Sequence, residues 1–379
     1  MSVVRNPFAA APPQGAGGPP GGAGGRGGDQ NSPTGPILGK GSELSRLWSM
    51  PDTMGHSDGI NCMVLVEDRI YTGGRDGNLF IWRGNQTPQG GFELVQDAPP
   101  IALNDSVTSL HYDPASKWLF CGLWGGTVVA YCKDPMAEER LTGHRRSVAS
   151  IALHSGVLIS GSNDGTVRLW TRPQGRWQMH GQPLNNPSGA VTVVKVVNNA
   201  LWVAAQNGIT CFDLETLNAR GTIAANFQVT GLLDCDGYCL ATYRNGDIKV
   251  FDGTGNETFN FPSRGEHTSN TAVGLMTHPV ANKPMLMCGQ QFGYVTAYDL
   301  PDFKPRGSFV CKTNSDVKAI LDVKFGGLFL TGGVHGDIMV WQWGQPSAGA
   351  ATTSPFVQAA AAQNAQGAFG VPPNGGMMG

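Results

Sequence analysis

One unit recurs seven times along this chain at nearly constant spacing, and a fixed period constrains a fold more than any single motif does. Each copy is an apolar run, a tight turn with glycine, and a second run that closes on an aromatic residue. The turns are Asp76-Gly77, Gly125-Gly126, Asp164-Gly165, Asn207-Gly208, Asn245-Gly246, Phe292-Gly293 and His335-Gly336. The closing aromatics are Trp82, Tyr131, Trp170, Phe212, Phe251, Tyr298 and Trp341, separated by 49, 39, 42, 39, 47 and 43 residues. Such an interval suits one four-stranded sheet, and a lone sheet has no core of its own. Seven sheets stacked around a common axis therefore account for residues 42–343.

The local pattern agrees. The turns lie between short β-rich runs, as in YTGGRDGNLFIW at 71–82 and LISGSNDGTVRLW at 158–170. Four of the seven are Asp-Gly or Asn-Gly, the pairing expected of a two-residue hairpin whose central residues both take positive φ. The expected fold is all-β, a seven-bladed β-propeller. Residues 43–50 form an apolar-containing run with no unit ahead of it. They are expected to return as the outermost strand of the last blade, beside Ile338–Trp343, so that both ends of the chain close the ring and few strand edges stay open.

The residues resemble WD-repeat propellers. The third unit carries Gly143-His144, Ser160, Asp164 and Trp170, and the first carries Gly55-His56, Thr72, Asp76 and Trp82. The resemblance implies that His56, Thr72, Asp76 and Trp82, and likewise His144, Ser160, Asp164 and Trp170, form hydrogen-bonded networks joining the loop that enters a blade to its hairpin. Other units depart from the pattern: two, four, five and six lack Gly-His, and two, six and seven lack Asp or Asn at the turn. A closer resemblance lies in DLPDFKPRGSF (299–309), DVKAI (316–320), GGLFLTGG (326–333) and VWQW (340–343), which are similar to the last blades of plant-type proteins joining a CCCH zinc finger to a WD-repeat propeller. That family would imply zinc and nucleic-acid binding through the finger. Residues 1–61 hold no cysteine, so neither is carried over, and RNA remains a secondary expectation as partner.

Composition narrows the function classes. Glycine and proline crowd the two ends, and residues 1–41 and 344–379 are expected to be disordered Gly/Pro/Ala-rich and Ala/Gly/Gln-rich tails, unable to bury enough apolar surface to offset ordering entropy. A net charge of −2 gives no global field toward nucleic acid or anionic lipid. No apolar run is long enough to span a membrane and no signal-peptide core is present, so an intracellular protein, cytoplasmic or nuclear, is expected. Six of the eight cysteines, Cys62, Cys121, Cys132, Cys211, Cys239 and Cys288, sit within strand-like runs. They read as buried thiols, with no disulfide framework and no metal-ligand spacing, since Cys235 and Cys239 lack a second pair.

Ser160, His144 and Asp164 are also the residue types of a nucleophilic triad. Recurrence of the set at the same spacing in another unit argues for scaffold instead, and neither catalytic residue nor cofactor nor small-molecule substrate is expected. Arg26-Gly27-Gly28 is a single copy in a biased tract, weak as an RNA contact. Asn6-Pro7-Phe8 resembles the NPF peptide bound by EH domains, and three residues match often by chance. In a propeller, the hairpin turns and the entering loops share one rim. That rim is the expected binding face for other proteins, with Arg75, Trp124, Arg145, Arg146, Arg244 and Phe292 as candidate contacts, because aromatics and arginine dominate interface energetics. Several arginines on one rim would favour an acidic or phosphorylated segment. Solvated surface is the competing reading for each of them singly.

Overall fold

The computed structural model describes residues 43–87, 92–133, 136–263, 269–324 and 326–344. The two tails, Asn6-Pro7-Phe8 and Arg26-Gly27-Gly28 lie outside the described residues. The chain forms seven four-stranded antiparallel sheets. Six are built from consecutive strands, spanning 60–102, 107–141, 148–185, 191–224, 229–261 and 270–310. The seventh combines Val317–Asp322, Leu328–Gly333 and Ile338–Trp343 with the first strand of the chain, Leu44–Ser49. Leu44 pairs with Trp343 and Ser49 with Met339, so the ring is sealed by its own two ends.

The strands change character from axis to rim. Second strands such as Trp118–Leu123, Ala200–Ala205 and Leu328–Gly333 are buried at every position, because a neighbouring sheet covers each face and no alternation is then required. Fourth strands such as Gln178–Asn185 and Ala219–Ala224 are mostly exposed. The apolar clusters lie between adjacent blades, and one of them unites Ile70 and Trp82 of the first blade with Leu330 and Val340 of the seventh.

Two recurrent devices set the stacking. Six of the seven inner strands open on a buried Val or Ile, namely Ile60, Val107, Val148, Val191, Val229 and Val317. Glycines in the second strand of the preceding blade make room for it. A Cβ on Gly73 would lie 2.5 Å from Val107, on Gly161 2.6 Å from Val191, and on Gly289 2.7 Å from Val317. At the closing seam a Cβ on Gly332 would meet Ile60 at 3.0 Å, the same arrangement across the joint. The second device is a register shift one residue into every inner strand. A bulge frees that residue from the ladder, and Asn61, Thr108, Thr192 and Thr271 use the freedom to donate to the carbonyls of Val107, Val148, Val229 and Val317 in the next blade.

The hairpins correct one expectation. In five blades the turn is closed from the glycine N–H to the carbonyl three residues back, as from Gly77 to Gly74 at 3.3 Å and from Gly165 to Ser162 at 3.1 Å. The glycine takes positive φ, 77° at Gly77 and 84° at Gly165, but Asp76, Asp164 and Asn245 do not. These are three-residue loops in which the aspartate caps the turn: the Asn78 N–H donates to Asp76 and the Thr166 N–H to Asp164. A left-handed two-residue turn does occur, at Phe292-Gly293, where φ is 57° and 85°.

Candidate interaction face

Among the described residues, six of the seven entering loops are bonded through the backbone to the hairpin of their own blade, and this fixes which loops share a face. Backbone N–H groups of Arg75, Trp124, Asn163 and Arg244 donate to the carbonyls of Gly59, Ser106, Ser147 and Gln228, at 2.8 to 2.9 Å. The side chains displayed from this frame differ in what they touch. Trp124 is 64% and Phe292 48% exposed. Arg75 is exposed and faces Asp58 at 3.6 Å, while Arg244 donates to Gln228 at 3.3 Å. Arg145 and Arg146 are exposed, with no ion pair to either guanidinium among the described residues. Phe227, 51% exposed, joins the same face just ahead of Gln228. Sequence reasoning missed it. The available signal was an aromatic residue two positions before a buried strand start, Val229.

Phe292 is held in a conformation that L-residues with bulky side chains avoid. Its N–H donates to Asp316 at 3.1 Å, and the N–H of Cys311 donates to the carbonyl of Gly293 at 2.8 Å, so neighbouring chain fixes the turn. The turn thus displays an exposed aromatic ring from a strained backbone. Phe292→Asn, which tolerates this region, is expected to stabilise the fold by about 1 kcal/mol while removing the ring. A thermal melt with a lower midpoint than the parent would count against the strain.

Beneath the rim, the third blade carries a complete relay. The Trp170 indole N–H donates to Ser160 Oγ at 2.8 Å, Ser160 lies 2.8 Å from His144 Nε2, and His144 Nδ1 lies 3.1 Å from Asp164. Burial lowers the pKa of His144 against the pull of Asp164, so the ring is neutral at pH 7. It then donates from Nδ1 to the carboxylate and accepts the Ser160 hydroxyl at Nε2. Burial opposes ionisation of Asp164, yet hydrogen bonds from Thr166 and the Arg145 N–H outweigh it and hold the carboxyl at about 2. The first blade repeats the geometry. His56 lies 2.9 Å from Asp76 and 2.9 Å from Thr72 Oγ1, and Trp82 donates to the same oxygen at 2.9 Å. Such proximity depends on Gly74, where a Cβ would stand 2.2 Å from His56.

The seventh blade keeps the two ends of this arrangement without a bond that joins them. Trp341 donates to Thr331 at 3.0 Å, and Ser315 takes the histidine's place, donating to Asp337 at 2.7 Å. The acid has moved two residues downstream of the turn position, where His335 now stands. An acid sought only at the turn is missed. In the second blade an entering-loop acid does the tying instead, as Asp105 accepts from the Gly125 N–H at 2.7 Å.

The lowered His144 pKa has a sign. The unfolded imidazole binds a proton near its ordinary pKa of about 6.5 and the folded one only at lower pH, so stability is lost as pH falls from that value toward the folded one. The slope approaches about 1.4 kcal/mol per pH unit for one proton. Below the ordinary carboxyl range the contribution of Asp164 is lost as well, down to its folded value of about 2. In His144→Gln the dependence of urea stability on pH below about 6.5 is expected to become shallower. An unchanged slope would contradict the neutral assignment.

No group of three or more His, Cys, Asp or Glu among the described residues could hold a metal ion, and no helix is long and apolar enough to cross a membrane. All eight cysteines are free thiols.

The family described as WD domain, G-beta repeat matches residues 48–83 and 137–171, the two blades with complete histidine relays. The protein is a seven-bladed β-propeller with WD-repeat matches in two of its blades. Among solved structures, the chain is similar to the WD40 β-propeller domain of Doa1, with a TM-score of 0.65 at 18% identity, covering 80% of this chain and 98% of that one. Among curated proteins it is 26% identical over 291 residues to zinc finger CCCH domain-containing protein 17 of Oryza sativa subsp. japonica, covering 73% of this chain. It is 26% identical over 305 residues to zinc finger CCCH domain-containing protein 59 of Arabidopsis thaliana, covering 76%. The chain spans 61% and 59% of the length of those two relatives.

Proposed function

We propose that this propeller is a non-catalytic scaffold that holds other proteins on the face formed by its hairpin turns and entering loops. The observation that carries the reading is the display of Trp124, Phe227 and Phe292, each about half exposed or more, together with Arg75, Arg145, Arg146 and Arg244 on one backbone-braced face. Rigid presentation of aromatics and arginines lowers the ordering cost of binding. The Ser, His and Asp of the relays are consumed in bonding loop to hairpin, and the serine hydroxyl is wholly buried at 0% exposure, which suits a brace and not a nucleophile.

Affinity purification with the parent chain and with Arg75, Trp124 and Arg244 replaced together by Ala tests the reading. Partners retained only by the parent support it. Identical partner sets, or none, count against it.

A second reading, an RNA-associated factor, rests on the relatives named for CCCH zinc fingers. It requires salt-dependent binding of single-stranded RNA that is lost on deleting residues 1–41. RNA binding that is absent, or indifferent to the deletion, ends it.

A further inference from the structure

The ring-closing seam carries a cavity of about 460 Å³ on the same side as the hairpin turns. One wall comes from the closure strand and the segment after it, with Arg46, Ser49 and Asp52. The other comes from the chain leaving the sixth blade, with Lys312 and Thr313. It exists only because the first strand is inserted into the last sheet, which brings residues about 260 positions apart into contact.

Its charges are unevenly committed. Arg46 is exposed and has no hydrogen-bond or ion-pair partner among the described residues. Lys312 has one, Asp52 at 3.1 Å, and that carboxylate is held by nothing else and is 90% exposed. The remaining acid of the lining, Asp337, accepts from Ser315 at 2.7 Å inside the blade. Of the two cations that line the cavity only Lys312 is paired, and Ser49 and Thr313 line the same cavity. The turn bearing Phe292 adjoins the segment that supplies Lys312, since the space a Cβ on Gly293 would need is filled by the Lys312 carbonyl, 2.1 Å away.

We infer that this seam is a docking site for a phosphorylated serine or threonine on an extended segment of a partner protein, with Asp52 as an internal stand-in that the phosphoryl group displaces. The inference deepens the scaffold reading and rests on it. A carboxylate from a partner would merely replace Asp52 and leave Arg46 unmatched. A phosphoryl group, with nearly two charges and three acceptor oxygens, meets Arg46 and Lys312 together and accepts from the neighbouring hydroxyls. A residue next to the phosphorylated one would lie against Phe292.

The test is fluorescence anisotropy on the full chain with three pools of short labelled peptides of degenerate sequence, centred on phosphoserine, serine or glutamate, and with inorganic phosphate as competitor. Phosphoserine peptides are expected to bind about tenfold more tightly than either other pool, a preference typical of charge-assisted pairing with two cations. Arg46→Ala and Lys312→Ala each weaken that binding about tenfold, and Asp52→Asn tightens it about threefold by removing the competitor. Arg46 and Asp52 are exposed and Lys312 is half-buried, and matching thermal melts confirm that the variants fold.

Equal binding of the three pools, indifference to the Arg46 and Lys312 changes, or weaker binding by Asp52→Asn overturns the inference. So does competition by inorganic phosphate at the same concentration as peptide, which would mark an ion site instead of a docking site. If the Arg75, Trp124 and Arg244 variant loses partners while no phosphopeptide binds, the seam inference fails and the scaffold reading stands. If that variant keeps every partner, the scaffold reading fails whatever the peptides do.

Discussion

A chain that begins at Asp52, without the closure strand, is expected to lose most of its stability and to self-associate, whereas a chain that begins at residue 42 melts as the parent does. The strand Leu44–Ser49 supplies the fourth position of the seventh sheet. With it go Leu44 and, one residue on, Met50, both 8% exposed, and the partly buried Leu47 and Trp48. Burial of a large apolar side chain contributes about 1.5–3 kcal/mol, so the loss is about 5 kcal/mol or more, comparable with the whole stability of many proteins. The same truncation uncovers Ile338–Trp343, whose valine and tryptophans are buried in the closed ring, as an apolar edge open to pairing with another copy. Light scattering and thermal melts measure both effects. A synthetic peptide covering residues 42–52 should restore the midpoint by re-forming the sheet. A truncated chain that stays monomeric with the parent's midpoint would show that closure adds nothing.

Ring size and closure were legible because their signals are local or repeat exactly where the fold repeats: a glycine turn, an aromatic such as Trp82 or Trp170, and one strand-like run at 43–50 left without a unit. Turn geometry was less legible. Asp-Gly serves a capped three-residue loop as readily as a left-handed pair, and the sequence alone does not separate the two at Asp76 or Asp164. The left-handed turn fell instead on Phe292-Gly293, where neighbouring chain, through Asp316 and Cys311, overrides the preference of phenylalanine. The loop tie of the seventh blade was hidden because Ser315 and Asp337 supply an acid bond from other residue types and positions. The seam cavity could not be read at all, since Arg46 and Lys312 share a cavity only once the ring is shut. The candidate rim residues were read by type. Their bracing from Gly59, Ser106 and Gln228 is a product of tertiary structure.

Ser160→Ala should cost about 3 kcal/mol although it removes a single oxygen. That oxygen, 0% exposed, accepts the Trp170 indole N–H and donates to the neutral His144 ring, both at 2.8 Å. Its loss leaves one buried donor and one buried acceptor without partners, and each such group costs about 1–3 kcal/mol. In a domain of about 300 residues, 3 kcal/mol lowers the melting midpoint by about 5 °C. Ser160→Thr provides the control, because threonine fills the same place in two other blades, as Thr72 beneath His56 and as Thr331 beneath Trp341. It should melt within about 1 °C of the parent, a shift of less than 1 kcal/mol. If the relay braces the entering loop, the backbone N–H of Arg145, which donates to Asp164 at 2.9 Å, should also exchange hydrogen faster in Ser160→Ala. Faster exchange there, with exchange in the first blade unchanged, would tie the buried hydroxyl to the order of the rim that presents Arg145 and Arg146. Loss of stability without local loosening would confine its role to the core.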